Sequence, residues 1–340
     1  MNKLKEFIQL LKRYVLIKEL LPYHRKGFNR VFKFVMVRDY KTALLMLNET
    51  LKSIIAIKGS VKDGYNYLNT KSISDNKKSD TLFILGSGPS INEITDEEWS
   101  YIKKNESWGF NFWFCHDFIP SAYIIQSVYR RSDDKQKAFA DSLDQLMTDM
   151  LTDKKERYTK VNFFARGDGV NNQKFFNSKI GTFIKNNFRE NIFLMPECPI
   201  SSKNKVNPYL FMQVLNKNGF LTSTKEVLPI PKFGSTIGEL IPLALILGFK
   251  KIVLCGIDMN DGAHFYDKEI NYEKYPMLRT LSELNNNREK HEHMDSSTRL
   301  YTVKDIVIEQ NRFATENMGA KIYTFKTSSS LYPDISKFEY

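Results

Sequence analysis

The segment that most constrains the fold is Thr81-Leu82-Phe83-Ile84-Leu85-Gly86-Ser87-Gly88-Pro89-Ser90, an unbroken apolar run that ends in a glycine turn. A run without polar alternation suits a strand buried on both faces, as in a parallel sheet. The glycines let the backbone turn tightly and approach a ligand. Pro89 suits a first helical turn, where its missing amide donor has no intrahelical partner. Ile91 to Lys104 then reads as helix, and the free amides at such a helix start favour phosphate. The spacing is neither GxGxxG nor GxxxxGK[ST], so the usual dinucleotide and P-loop fingerprints are absent.

A second unit begins at Gly234-Ser235-Thr236. Ile237 to Leu247 is an apolar helix closed by Gly248, and Lys251 to Gly256 is a strand with Asp258 just past its carboxyl end. Ala122 to Val128 and Val161 to Ala165 are further strand candidates. Thr302 to Met318 reads as a helix closed by Gly319, and Lys321 to Phe325 as a final strand. Residues 262–300 are polar, hold three of the five histidines, and suggest a mobile loop over a site. Strands alternating with helices imply an α/β fold with a mainly parallel sheet, flanked by helices, and ligands at the carboxyl ends of its strands.

Charge is placed unevenly. The net charge is +11. Residues 1–60 hold 13 Lys and Arg against 4 Asp and Glu, which leaves the remainder close to neutral. Leu4, Phe7, Ile8, Leu11, Tyr14 and Val15 recur at helical spacing among lysines, and Leu44, Leu47, Leu51, Ile54 and Ile55 form a second helical pattern. Such an arm over residues 1–75 has two competing readings. One is an anionic membrane surface; the other is packing on its own domain or a second subunit. No nucleic-acid partner is expected. Residues 70–80 are polar and read as a linker, so the main domain is expected over 80–340 with a lid about 262–300.

Cys115, Cys198 and Cys255 are widely spaced, which favours a reducing compartment and argues against a disulfide scaffold or zinc site. No apolar run approaches the roughly 20 residues that span a bilayer, and the charged N-terminus lacks the pattern of a signal peptide. The expected location is cytoplasmic, peripheral on the inner face of the cytoplasmic membrane.

Taken in order, Gly86-Ser87-Gly88-Pro89-Ser90, Asn111 within Gly109-Phe110-Asn111-Phe112, Gly234-Ser235-Thr236 before a helix, and Leu247 to Asp258 resemble one bacterial family. It is the sialyltransferases of glycosyltransferase family 42, which act on lipooligosaccharide. The resemblance covers roughly residues 80–330. It implies a Rossmann-like domain with a small lid that binds a CMP-activated sugar without metal or other cofactor. Gly86, Ser87, Gly88, Pro89 and Ser90 would hold the donor phosphate and ribose, and Asn111 would bond the donor. Ser235 and Thr236, led by Gly234, would meet the sugar carboxylate or nucleotide, and Gly256, Ile257 and Asp258 would line the cytidine pocket. Gln126 joins this substrate-binding set.

The sequence departs from the family at two places. Ser87 stands where the family has asparagine, and Asn260 and His264, with Tyr266 close by, stand where it has two tyrosines that assist the departing phosphate. His264 or Tyr266 would then supply that role. The family's base is a lid histidine, and His291 or His293 occupies its region. A histidine titrating near neutrality can deprotonate an acceptor hydroxyl. The His-Glu-His spacing offers two metal ligands with no third nearby, so no metal is expected.

The expectation is an inverting transfer of a sialic acid-like nonulosonic acid or Kdo from CMP to a surface glycan or glycolipid acceptor, in an enzyme that forms homo-oligomers as the family often does. Two other readings stand beside it. A Mg-dependent protein resembling pterin pyrophosphokinases and a motility-associated group would use Asp258 and Asp261 for metal. A degenerate, non-enzymatic fold would act through residues 1–60.

Overall fold

The apolar runs become strands because both of their faces find a helical layer. The structure is a computed structural model that describes residue 15 and residues 25–62, 64–68, 77–125, 134–167, 178–200, 205–222, 230–259, 263–286 and 300–340. In chain order the main elements are α1 (Arg25–Arg38), α2 (Tyr40–Lys62), β1 (Asn66–Tyr67), β2 (Thr81–Leu85), α3 (Asp96–Lys103), β3 (Glu106–Phe110), β4 (Ala122–Ile125), α4 (Asp134–Asp153) and β5 (Asn162–Gly167). They continue as α5 (Lys179–Phe188), β6 (Ile192–Ile200), α6 (Pro208–Lys217), β7 (Ile230–Phe233), α7 (Ile237–Ile246), β8 (Lys251–Cys255), α8 (Glu269–Lys274), α9 (Met277–Asn286), α10 (Val303–Phe313) and β9 (Lys321–Thr324).

Every strand pair is parallel, in the order β1-β6-β5-β4-β3-β2-β8-β9, with β7 also pairing along β6. Alternation along β2 divides the core. Leu82 and Ile84 join α1, α2, α6, α7 and α10 on one face, while Phe83 and Leu85 join α4 and α5 on the other. The fold is therefore a parallel α/β sheet between two helical layers, as the sequence pattern implies.

Chain order reverses beside β2. From β2 the chain proceeds outward through β3, β4, β5 and β6, whereas β8 and β9 lie on its other side. In open parallel sheets the crevice outside the carboxyl ends at such a reversal is where ligands bind. The loops that meet there follow β2 and β8, and they carry Gly86–Ser90 and Gly256–Asp258.

Three expectations change. The segment Ile91–Lys104 is not one helix. A single 3-10 turn, Pro89–Glu93, breaks at Ile94, and α3 restarts behind a capping box made by Thr95 and Glu98. The polar stretch read as loop holds α8 and α9; Leu278 and Leu281 recur at helical spacing on the buried side of α9, and Tyr275, between the two helices, is buried with them. In the basic segment, residues 25–62 form two helices whose inner stripes, Phe28, Val31, Phe32 and Val35 and then Met46, Leu47, Leu51 and Ile54, belong to the core. That part of the segment packs on its own domain, while residues 1–14 and 16–24 fall outside the described residues.

Candidate functional site at the reversal crevice

The β2 and β8 turns are built into each other. A Cβ on Gly86 would strike Ile257 and the Gly256 carbonyl, one on Gly88 would strike the Asp258 carboxylate, and one on Gly256 would sit 2.5 Å from Ile91. Gly256 also adopts φ +63°, where an L side chain is strained. The backbone is stitched accordingly: Gly86 N–H donates to Cys255 O and Gly88 N–H to Gly256 O, each at 2.8 Å. The glycines are thus required by the close approach of two strand ends.

Asp258 sits at the centre of this junction, 5% exposed. Its carboxylate accepts from the Ser90 backbone N–H at 2.9 Å and the Ser90 hydroxyl at 2.5 Å. Burial pushes its pKa above the usual carboxylate range, and the two Ser90 bonds only partly offset that. This corrects the reading of free amides at a helix start. The Ser90 amide already holds an internal anion, and the turn that follows is 3-10 and only five residues long. Ser87, half-buried, presents its side chain at the same turn.

Two further loops close on the junction. Phe265 N–H donates to Ser87 O at 2.9 Å, which fixes His264 and Tyr266 beside the glycine turn. His264 is half-buried, and its ring stacks on Tyr266 with centroids 4.8 Å apart. Tyr266 is buried against Phe112 and Phe265, and burial pushes its phenol well above the ordinary value. A phenol held so firmly protonated is a weak acid, so Tyr266 is poorly suited to donate a proton. From the other side, Ser329 and Ser330 hydroxyls donate to the carbonyls of Ile257 and Met259 at 2.9 and 3.2 Å.

Asn111 follows β3 directly, exposed and at φ +55°. Its neighbour Phe112 contacts Tyr266, so the β3 end joins the same crevice. Sequence reasoning therefore converges for Gly86 to Ser90, Asn111, Gly256 to Asp258, His264 and Tyr266. Gly234, Ser235 and Thr236 stand elsewhere along the edge. They follow β7, which pairs with β6, four strands away from β2. The Ser235 hydroxyl accepts from Gly238 N–H at 3.0 Å and caps α7. Gln126, Asn260, Asp261, His291 and His293 lie outside the described residues.

The polar assembly under Ser235 and Thr236 was not anticipated. Arg166 of β5 meets Glu239 of α7 at 2.7 Å and Glu197 of β6 at 3.7 Å, and Glu197 accepts from Lys232 of β7 at 2.8 Å. Arg166 and Glu239 are buried. The signal was present in Ala-Arg-Gly at the end of an apolar run, where a charged residue closes a strand that is buried on both faces. His116 has a structural part. Its Nδ1 accepts from Phe118 N–H at 2.9 Å, its ring stacks on Trp113, and burial lowers its pKa to about 4. Among the described residues no group of three or more His, Cys, Asp or Glu is arranged to hold a metal ion.

No family model and no curated protein matches the chain. Its fold overlaps three solved sialyltransferase structures from Campylobacter jejuni. One is CstII in complex with the substrate analogue CMP-3FNeuAc, at 17% identity over 76% of this chain and 85% of that one, with a TM-score of 0.38. The monofunctional alpha-2,3-sialyltransferase Cst-I gives 17% identity, coverage of 77% and 81%, and a TM-score of 0.39. An alpha-2,3-sialyltransferase in apo form gives 18%, 78% and 84%, and 0.36. At these identities and scores no residue role is carried across.

Proposed function

We propose that this chain is an inverting glycosyltransferase that moves a nonulosonic acid or Kdo from a CMP-activated donor to a glycan or glycolipid acceptor. The observation that carries the reading is the meeting of Gly86–Ser90, Gly256–Asp258 and His264 at the chain-reversal crevice, joined from the β3 side by Asn111. Gly86–Ser90, Asn111 and Gly256–Asp258 are motifs on which the family resemblance rests, and His264 stands where the sequence departs from it; all are gathered where parallel α/β sheets bind ligands.

In this reading Ser87 and Asn111 supply neutral donors for the nucleotide. The buried Asp258 keeps the Ser90 amide from competing for phosphate, and His264 donates a proton to the departing phosphate oxygen. His291 or His293 would take the acceptor's proton as the hydroxyl attacks the anomeric carbon from the opposite face. No step calls for a metal.

The magnesium-dependent alternative gains no support, because both Asp258 carboxylate oxygens are engaged by Ser90. The test is release of CMP from CMP-sialic acid and CMP-Kdo in the presence of a glycan acceptor. The His264→Gln chain should release CMP about a hundredfold more slowly, the usual scale for loss of a positioned acid. Wild-type rates in that variant would remove His264 from the mechanism. Activity that vanishes with a chelator and returns with magnesium would favour the alternative.

A further inference from the structure

The basic segment is explained only in part by packing, because its inner stripes are buried and its outer ones are not. The direction of the hairpin can be read from its contacts. Gly27, near the start of α1, lies against Asn218 and Phe220 beyond the end of α6. At mid-length the Ser53 hydroxyl of α2 accepts from the Glu197 N–H of β6 at 3.0 Å. The last turn of α2 leads into β1, which pairs with the start of β6. Thus α2 runs antiparallel to β6. From Ser53 back to Tyr40 it extends about 20 Å toward the carboxyl edge, farther than the roughly 10 Å of β6 that remain after Glu197. The corner between α1 and α2 therefore stands at the edge that carries the crevice.

That corner has a distinct surface. Met36, Val37 and Leu45 are exposed by 37%, 76% and 44%, and Lys33, Arg38 and Lys41 are exposed among them. The one acidic residue at the corner, Asp39, accepts from the Thr42 N–H and hydroxyl at 3.1 and 3.0 Å and so caps α2. We propose that the α1–α2 corner docks on an anionic lipid bilayer, with the aliphatic side chains entering the interface and the basic ones pairing with headgroups. It thereby turns the crevice edge of the sheet toward the membrane.

Charge complementarity selects this occupant. Nucleic-acid surfaces combine basic groups with stacking aromatic rings, whereas the exposed apolar side chains among the described residues of the corner are Met, Val and Leu. A second copy meeting the same patch around a two-fold axis would set like charges against each other. Aliphatic residues beside Lys and Arg match an interfacial anchor. Among the described residues no helix is long and apolar enough to cross a membrane, so the contact would be peripheral. Docking itself is independent of the transferase reading. Only its use, presenting lipid-linked acceptors to the crevice, rests on that reading.

The test is co-sedimentation of the full chain with phosphatidylcholine vesicles and with vesicles half phosphatidylglycerol, at low and high salt. The wild type should bind the anionic vesicles and release them in high salt. Each basic group near such a surface is worth about fivefold, so K33Q/R38Q/K41Q should bind about a hundredfold more weakly. M36S/V37S/L45S should weaken binding while leaving its salt dependence in place. Equal binding to both vesicle types, or wild-type binding by the charge variant, would overturn the proposal. So would dimerisation through the corner without vesicle binding, or a DNA duplex retained in place of vesicles. CMP titration in vesicle-free buffer separates the two ideas. The charge variant should bind CMP as the wild type does, and failure of CMP to bind either chain would strike the donor reading alone.

Discussion

Two polar assemblies lie along the carboxyl edge of one sheet, and they stabilise buried charge in opposite ways. At the reversal crevice a single carboxylate, Asp258, is held by the amide and hydroxyl of one serine, with no cation among the partners that hold it. Burial raises its pKa as a result. Under Ser235 and Thr236, Arg166, Glu197, Glu239 and Lys232 neutralise one another as full ion pairs. A neutralised ionic network fixes geometry and leaves little charge for a ligand to use. A lone carboxylate among glycines and hydroxyls stays responsive to what binds beside it. The ionic network suits a scaffold and the lone carboxylate a site.

The difference can be broken most forcefully at Arg166. Arg166→Met leaves Glu239 buried without its cation and should cost about 3–5 kcal/mol in urea unfolding. Arg166→Met/Glu239→Leu should recover much of that loss, since the pair is replaced by apolar volume. No recovery would mean the network does more than balance charge. Next in size is Gly256→Ala, where the new Cβ meets Ile91 at 2.5 Å in a left-handed conformation. A loss of about 3 kcal/mol is expected from overpacking and strain together. Gly59→Ala, in a helix where no atom lies within 4 Å of the new Cβ, should instead gain about 0.5–1 kcal/mol.

Asp258→Asn gives the smallest change in stability and the sharpest contrast. The folded-state pKa of Asp258 is raised by burial, so the folded chain holds its proton longer than the unfolded chain. Stability therefore falls as pH rises from the ordinary carboxylate value to the raised one, and the full penalty persists above it. Asparagine keeps an acceptor for the Ser90 amide and carries no charge. The variant should lie within about 1 kcal/mol of wild type at neutral pH and lack this component of the acid-range slope. An unchanged slope in denaturation series across that range would place the titration elsewhere.

Legibility in the sequence tracked burial and turn chemistry. β2 and β8 could be read because each is an uninterrupted apolar run ending in glycine. β6 escaped notice because Pro196 and Pro199 interrupt Ile192–Ile200, and proline normally argues against a central strand. β3 escaped because Glu106, Ser107 and Gly109 dilute its pattern, although four of its five residues are buried. At the site, the meeting of Gly88 with Asp258 across 170 positions of sequence follows from strand order. No local pattern encodes that order. The same holds for Ser235, whose hydroxyl at the head of a helix looks equally suited to a ligand and to a cap until the fold shows it capping.

The central claim is that the crevice outside the carboxyl ends of β2 and β8 binds the donor nucleotide, and calorimetric titration with CMP tests it most directly. Ser87→Ala and Asn111→Gly each remove one neutral donor at the crevice rim, and glycine tolerates the φ of +55° at position 111. The account predicts one CMP bound per wild-type chain and about tenfold weaker binding in each variant, the scale of one hydrogen bond, with unfolding midpoints unchanged. Wild-type affinity in both variants, or no heat from CMP or any CMP-sugar, would contradict it.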